Sequence, residues 1–144
     1  MMKIALGADH GGFDLKRELV EGLRELKYAV DDLGCFSVDP FDYPDVAHAA
    51  ARGVLDSTYE RAILVCGTGI GMAMTANRYK GVRAANCHDV FSARCARSHN
   101  DTNILTLGGR VLGIGLAWEI VNTWLSTPYS KGERHVRRIA KIDP

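Results

Sequence analysis

At 144 residues the chain can bury roughly two thirds of the surface that its unfolded form exposes, so a single domain (1–144) with its own core is expected and no covalent staple is needed. Its 18 Lys and Arg against 17 Asp and Glu give too weak an overall field to recruit nucleic acid or an anionic membrane, so any anion selectivity must be local. Cys35, Cys66, Cys87 and Cys95 have neither CxxC nor zinc-ligand spacing; with no leader-like start and no apolar run of membrane-spanning length, they point to free thiols in a reducing, cytoplasmic setting.

Ile4 to Ala8 is a short apolar run that predicts a first strand, and Asp9-His10-Gly11-Gly12 is the loop after it. Leu15, Leu19, Leu23 and Leu26 share one helical face opposite Lys16, Arg17, Glu18, Glu21 and Arg24, which predicts an amphipathic helix over about 13–27. Tyr28 to Asp32 reads as the second strand. The prolines and acids between Gly34 and Pro44 mark a loop, and a helix starts at Pro44-Asp45 and runs to about Asp56. A central strand over 62–66, a helix over about 70–79, a strand over 82–86, a helix over about 89–98 and a strand over 103–107 follow. Ala117, Ile120, Val121, Trp124 and Leu125 form the apolar face of another helix, which Pro128 stops. Trp118 and Trp124, on partly different faces of it, hint at a subunit interface. The basic tail from Lys131 to Lys141 predicts a last helix packed through Val136, Ile139 and Ile142.

This alternation predicts an α/β fold: a doubly wound, Rossmann-like five-stranded parallel sheet with helices on both faces. Such sheets bind ligands beyond the carboxyl ends of their strands, where the strand order reverses. On this reading the loops at Asp9-His10, Cys66–Gly71, Asn86–Asp89 and His99-Asn100 gather at that one edge.

The chemical centre is Cys66-Gly67-Thr68-Gly69-Ile70-Gly71, where the central strand turns into a helix. Glycines there let backbone N–H groups approach a ligand, and with the positive helix end they make an anion site. Counting from Gly67, the sixth position of a dinucleotide fingerprint is Met72, and the P-loop Lys is also missing. A phosphatase loop fails as well, since the sixth position after Cys66 is again Met72 and not Arg.

Each candidate has a plainer use beside the chemical one. Cys66 is either a buried thiol or, beside N–H groups at a helix start, a reactive one. Asp9-His10 either caps the first helix or faces a ligand, and His99-Asn100-Asp101 is either a helix end with its turn or part of a site. Asp45 and His48 are a possible metal pair with no third ligand evident, and His88 has no assignment. Arg134 and Arg138, four apart, share a helical face that could grip one phosphate, or belong to a solvated basic terminus with Arg137. Together these groups suit proton transfer next to the carbonyl of a small phosphorylated sugar, with N–H donors holding the enediolate and no redox cofactor or metal required. The different-class alternative is a non-catalytic α/β module that holds a nucleotide or phosphate.

The motifs Gly7-Ala8-Asp9-His10-Gly11-Gly12, Asp42-Tyr43-Pro44, Cys66–Gly69, Asn77-Arg78, His99–Asn103, Gly108–Arg110 and Arg134-His135 run through nearly the whole chain. In them it resembles the type B ribose-5-phosphate isomerases, a family that includes allose-6-phosphate and galactose-6-phosphate isomerases. The resemblance implies that Cys66 moves the proton between C1 and C2, that Thr68 assists at the substrate oxygen, and that His99 with Asp9 opens the furanose ring. It further implies phosphate binding by His10, Arg134 and Arg138 (or Arg137), a sugar site lined by Tyr43, Asn100 and Arg110, and an anion hole from Gly67, Gly69 and Gly71. A homodimer or dimer of dimers with shared active sites is implied too, the segment from about 129 to 144 reaching the partner subunit. A six-carbon sugar phosphate is the main rival substrate.

Overall fold

The structure is a computed structural model that describes all 144 residues. Its strands are β1 (Lys3–Ala8), β2 (Ala29–Asp32), β3 (Arg61–Cys66), β4 (Ala84–Asn86) and β5 (Ile104–Gly108). The helices are α1 (Phe13–Glu25), α2 (Tyr43–Leu55), α3 (Ile70–Ala76), α4 (Val90–Ser98), α5 (Ile114–Ser126) and α6 (Glu133–Ile139). All strand pairs are parallel, in the order β2-β1-β3-β5-β4, so the expected doubly wound sheet is present. The chain goes from β1 out to β2 on one side, then crosses to β3 and builds the other side with β4 at the edge and β5 between them, so the switch point lies between β1 and β3.

Because side chains alternate across a strand, β1 and β3 feed two cores. Ile4, Leu6, Ile63 and Val65 pack with Leu15, Leu19 and Leu23 of α1, Ala93 of α4, and Ile120 and Trp124 of α5. Ala5, Ala62, Leu64 and Cys66 pack with Val46, Ala47, Ala50 and Ala51 of α2 and Met72 and Ala76 of α3. The alanine-rich face of α2 lets that helix lie close to the sheet. Cys66 therefore points to the side of the sheet covered by α2 and α3.

Several boundaries and packings differ from expectation. Strand β4 has three residues, because the Arg83 N–H donates to Asn103 Oδ1 (2.8 Å) in the turn before it. Helix α3 stops at Ala76, where the Asn77 amide bonds both backbone groups of Ala84 (2.8 and 2.9 Å). Trp124 is wholly buried and donates its indole N–H to Thr102 Oγ1 (2.8 Å). Trp118 lies over Gly22 of α1, so part of the aromatic surface that hinted at an interface packs within the chain. The last helix is held differently as well: Val136 and Ile142 are about half exposed, and the buried residue of α6 is His135.

Lys16 is the main buried charge. It is 1% exposed, bonds both oxygens of Asp32 (2.7 and 2.8 Å) and the Cys35 carbonyl (2.7 Å), and lies near the Phe13 and Phe36 rings. This cluster ties the segment after β2 to α1, and that segment leads to Tyr43.

Candidate active site

The loops after β1 and β3 meet at the switch point. A Cβ on Gly12 would lie 2.2 Å from the Val65 carbonyl oxygen, and one on Gly11 would lie 3.0 Å from the Gly67 nitrogen, so only glycines allow this approach. The Asp9 carboxylate accepts from the N–H groups of Gly11 (2.8 Å) and Gly12 (3.2 Å) through Oδ1. Asp9 thus fixes its own loop, as a helix-entry residue does, and it also lines the cleft.

Cys66 is almost fully buried and its Sγ accepts from the Gly69 N–H (3.1 Å). Gly69 has φ +80°, a left-handed conformation that suits glycine, and a Cβ there would strike Asn86 Oδ1 and the Leu107 backbone. Ile70 N–H donates to Thr68 Oγ1 (3.3 Å), while the N–H groups of Gly67 and Thr68 have no partner in the chain. Of the glycine-loop donors, then, Gly69 serves the thiol, and those of Gly67 and Thr68 remain for an incoming anion. Asp9, Tyr43, Cys66, Gly67, Thr68 and Gly71 line a cleft of about 380 Å³. Tyr43 closes one side, its ring so near Gly71 that a Cβ there would lie 2.5 Å from it. Arg110 holds the opposite rim: its N–H donates to the Gly67 carbonyl (3.0 Å), and its guanidinium lies beside Gly67. His10 Nδ1 accepts from the Phe41 N–H (3.1 Å), which joins the β1 loop to the lead-in of Tyr43 and leaves Nε2 as the donor.

The Asn86–Asp89 loop lies at this edge as expected, but the bonds that its residues make to the glycine loop were not legible beforehand. His88 (Nε2, 3.1 Å) and Asn86 (Nδ2, 3.3 Å) both approach the Thr68 carbonyl, and Thr106 donates to Asn86 Oδ1 (3.0 Å). They brace the glycine loop from the carboxyl end of β4. The only sequence signal was their position at the end of that strand and just after it.

The expected gathering of His99-Asn100 at this edge is wrong. Helix α4 leaves β4 at the carboxyl edge and returns to the start of β5, so its C-cap His99 lies at the amino edge. Nine residues of helix put His99 roughly 13 Å along the axis from the Asp89 end. There the Asp101 carboxylate, in a left-handed turn, is bound by Arg97 (2.9 Å) and Arg83 (3.3 Å), and the Ser130 N–H donates to the Ser98 carbonyl (3.1 Å). Helix α6 packs alongside, with the His135 ring stacked on His99 at 4.3 Å between centroids and 11° between planes. Arg134, Arg137 and Arg138 are exposed on α6 and free of carboxylate partners. The candidate residues thus form two groups. Asp9, His10, Tyr43, Cys66, Thr68, the loop glycines and Arg110 occupy one edge; His99, Asn100, Arg134 and Arg138 occupy the other.

His48 bonds the Tyr79 hydroxyl (2.7 Å) instead of pairing with Asp45. A larger hollow of about 470 Å³ between α1 and α5 is lined by Glu18, Glu21 and Glu25, whose charges repel a phosphorylated anion. No helix is long and apolar enough to cross a membrane.

The fold and this cleft define a doubly wound α/β protein with a thiol and unpartnered backbone N–H groups lining a cleft at its sheet switch point. Residues 4–142 match the Ribose/Galactose Isomerase family, and the chain belongs to that family of isomerases. It is 44% identical over 142 residues to ribose-5-phosphate isomerase B of Escherichia coli (strain K12), covering 99% of this chain and 95% of that one. It is 43% identical over 136 residues to D-erythrulose-4-phosphate isomerase of Pectobacterium atrosepticum, covering 92% of this chain and 88% of that one. A solved ribose 5-phosphate isomerase from Thermotoga maritima superposes with a TM-score of 0.96 at 48% identity, covering 99% of this chain and 97% of that one.

Proposed function

We propose that the chain interconverts ribose 5-phosphate and ribulose 5-phosphate through a cis-enediolate. The observation that carries this is the Cys66 thiol, hydrogen bonded by the Gly69 N–H and set beside the free N–H donors of Gly67 and Thr68 in a cleft that also holds Asp9 and Tyr43. In the aldose-to-ketose direction, ring opening gives the C1 aldehyde. Cys66 as thiolate takes the C2 proton, negative charge builds on O1, and the loop N–H groups hold it. Thr68 passes the O2 hydroxyl proton to O1, and the Cys66 proton returns to C1. No metal or redox cofactor takes part in this scheme.

Ring opening needs the second group of residues, which lies at the far edge of the same chain. We therefore place the working site between two copies, the partner subunit's His99 and Asn100 entering the cleft and the partner subunit's Arg134 and Arg138 holding the phosphate with His10. Arg134 and Arg138 are four apart on α6 and exposed, so they share one face for a phosphate, which supports Arg138 over Arg137. The α6 segment is then the part of each chain that reaches its neighbour. Mixing Cys66→Ala with His99→Asn protein tests this arrangement. Random reassociation makes half the dimers mixed, each with one intact site, so roughly a quarter of the unsubstituted activity should return; no recovery with proven subunit exchange would refute shared sites.

The substrate is tested by incubating the purified protein with ribose 5-phosphate without added metal and following ketose formation. Absence of turnover, or turnover lost only on chelation, overturns the mechanism. The four-carbon substrate named for the Pectobacterium relative supports a second reading, an isomerase of another sugar phosphate. Comparing kcat/KM on ribose 5-phosphate, allose 6-phosphate and erythrulose 4-phosphate decides between them.

A further inference from the structure

His99 is fixed by its surroundings in an unusual way. Its backbone is set by the end of α4, where the His99 N–H donates to the Cys95 carbonyl (2.9 Å), and by the two-arginine clamp on Asp101. The imidazole itself makes no hydrogen bond within the chain, so both nitrogens are free for a substrate and neither restrains rotation of the ring. What lies against it is the His135 ring, stacked nearly parallel at 11° and 4.3 Å between centroids, carried by another helix and 9% exposed. His135 likewise makes no side-chain hydrogen bond of its own. What fixes the His135 ring against His99 is therefore the stack itself and not a hydrogen bond.

We propose that His135 is the positioning residue for His99, its stacked ring setting the plane in which His99 meets the furanose ring oxygen. The inference rests on the reading of His99 as the ring-opening group.

The electrostatics fit this division of roles. Burial holds the His135 pKa below the ordinary histidine range, and the charges facing it, His99 at the end of α4 and Arg134 and Arg138 on α6 itself, act in the same direction. Protonation of His135 is therefore disfavoured, and a positive charge on His99 disfavours it further. The proton that ring opening needs belongs to His99 alone, which donates it to the ring oxygen as the C1–O bond breaks and the C1 hydroxyl proton is taken up by Asp9.

The test separates ring opening from enolisation. Ribulose 5-phosphate is acyclic, so deuterium wash-in at its C1 from D₂O needs Cys66 but no ring opening. Replacing His135 by Ala should lower kcat on ribose 5-phosphate about 10- to 100-fold, the cost of a misaligned acid–base group, while leaving wash-in at the unsubstituted rate. His135→Phe keeps a flat ring on the stack and should recover most of the lost kcat, and it also guards against an Ala variant that fails to fold. Full activity in the Ala variant, a Phe variant as slow as Ala, or wash-in falling in parallel with turnover each overturns the proposal. His99→Asn, measured alongside, distinguishes the two levels. If it turns over ribose 5-phosphate normally, the ring-opening reading of His99 fails; if it is slow while His135→Ala is not, only the positioning role fails.

Discussion

Gly69→Ala is the sharpest probe of the glycine loop, because one methyl group tests both its stability and its chemistry. Gly69 sits at φ +80°, where a side chain costs about 1–2 kcal/mol. The added Cβ would also lie 2.2 Å from Asn86 Oδ1 and 2.9 Å from the Leu107 carbonyl carbon. The Asn86 amide can rotate away, at the loss of its bond from Thr106, but the Leu107 backbone is in the centre of the sheet and cannot. Overpacking of this kind costs typically 1–3 kcal/mol, so the two effects together predict a loss of about 2–5 kcal/mol, or roughly 6–15 °C in Tm for a chain of this size. The loop must shift to accept the methyl, and the shift moves the N–H that donates to Cys66 Sγ. Misplacement of a reacting group by about 1 Å costs up to 10²-fold, so kcat should fall about 10- to 100-fold with KM little changed. Gly115→Ala is the control. Gly115 lies in the first turn of α5, a Cβ there meets nothing within 4 Å, and the substitution should stabilise by about 0.5–1 kcal/mol. Urea denaturation and initial-rate kinetics on both variants check the pair. If Gly69→Ala matches the unsubstituted protein in stability and kcat, the loop is not the constrained element described here.

The other predictions concern charge and thiols. Lys16→Met removes the cation from Asp32 and the Cys35 carbonyl while keeping much of its volume, and should cost about 3 kcal/mol in denaturant unfolding because a largely buried carboxylate loses its partner; a loss under about 1 kcal/mol would mean that the pair is dispensable. Burial, with a smaller contribution from Asp89, pushes the Cys87 thiol up to about 11, so in the folded state the neutral thiol is favoured. Its contribution to stability is therefore full below about pH 9 and is lost as pH rises through about 11, a loss of about 2–3 kcal/mol that Cys87→Ala should flatten in unfolding measured from pH 8 to 11. At pH 8, alkylation followed by mass spectrometry should leave Cys87 unmodified until the protein unfolds. Arg134→Ala should chiefly raise KM for the phosphorylated substrate, whereas Cys66→Ala should abolish turnover with substrate binding retained; equal loss of kcat in both would undo the separation of phosphate binding from chemistry.

The fold was legible because its signals are local. Apolar runs of strand length alternate with helical periodicity, and parallel strands joined by helices admit few arrangements. The thiol, the alternating glycines and the loop before α1 were legible for the same reason, each lying at a strand end. What the sequence hid was direction. His99 and Cys66 both follow regular elements, but one follows a helix and the other a strand, and in a parallel sheet those two kinds of ending lie at opposite edges. Treating every polar loop as a carboxyl-edge loop merged two groups of candidate residues into one. Local pattern also misjudged α6, where Val136, Ile139 and Ile142 looked like an apolar face while the chain buries His135. A seven-residue helix at the end of a chain has too few positions for periodicity to choose its inner face, and here a stacking partner 36 residues upstream chooses it. The same geometry explains why so much positive charge is tolerated there. Arg134, Arg137 and Arg138 have no carboxylate partner on their own chain, and the proposed phosphate in the cleft of another copy would supply the missing counter-charge.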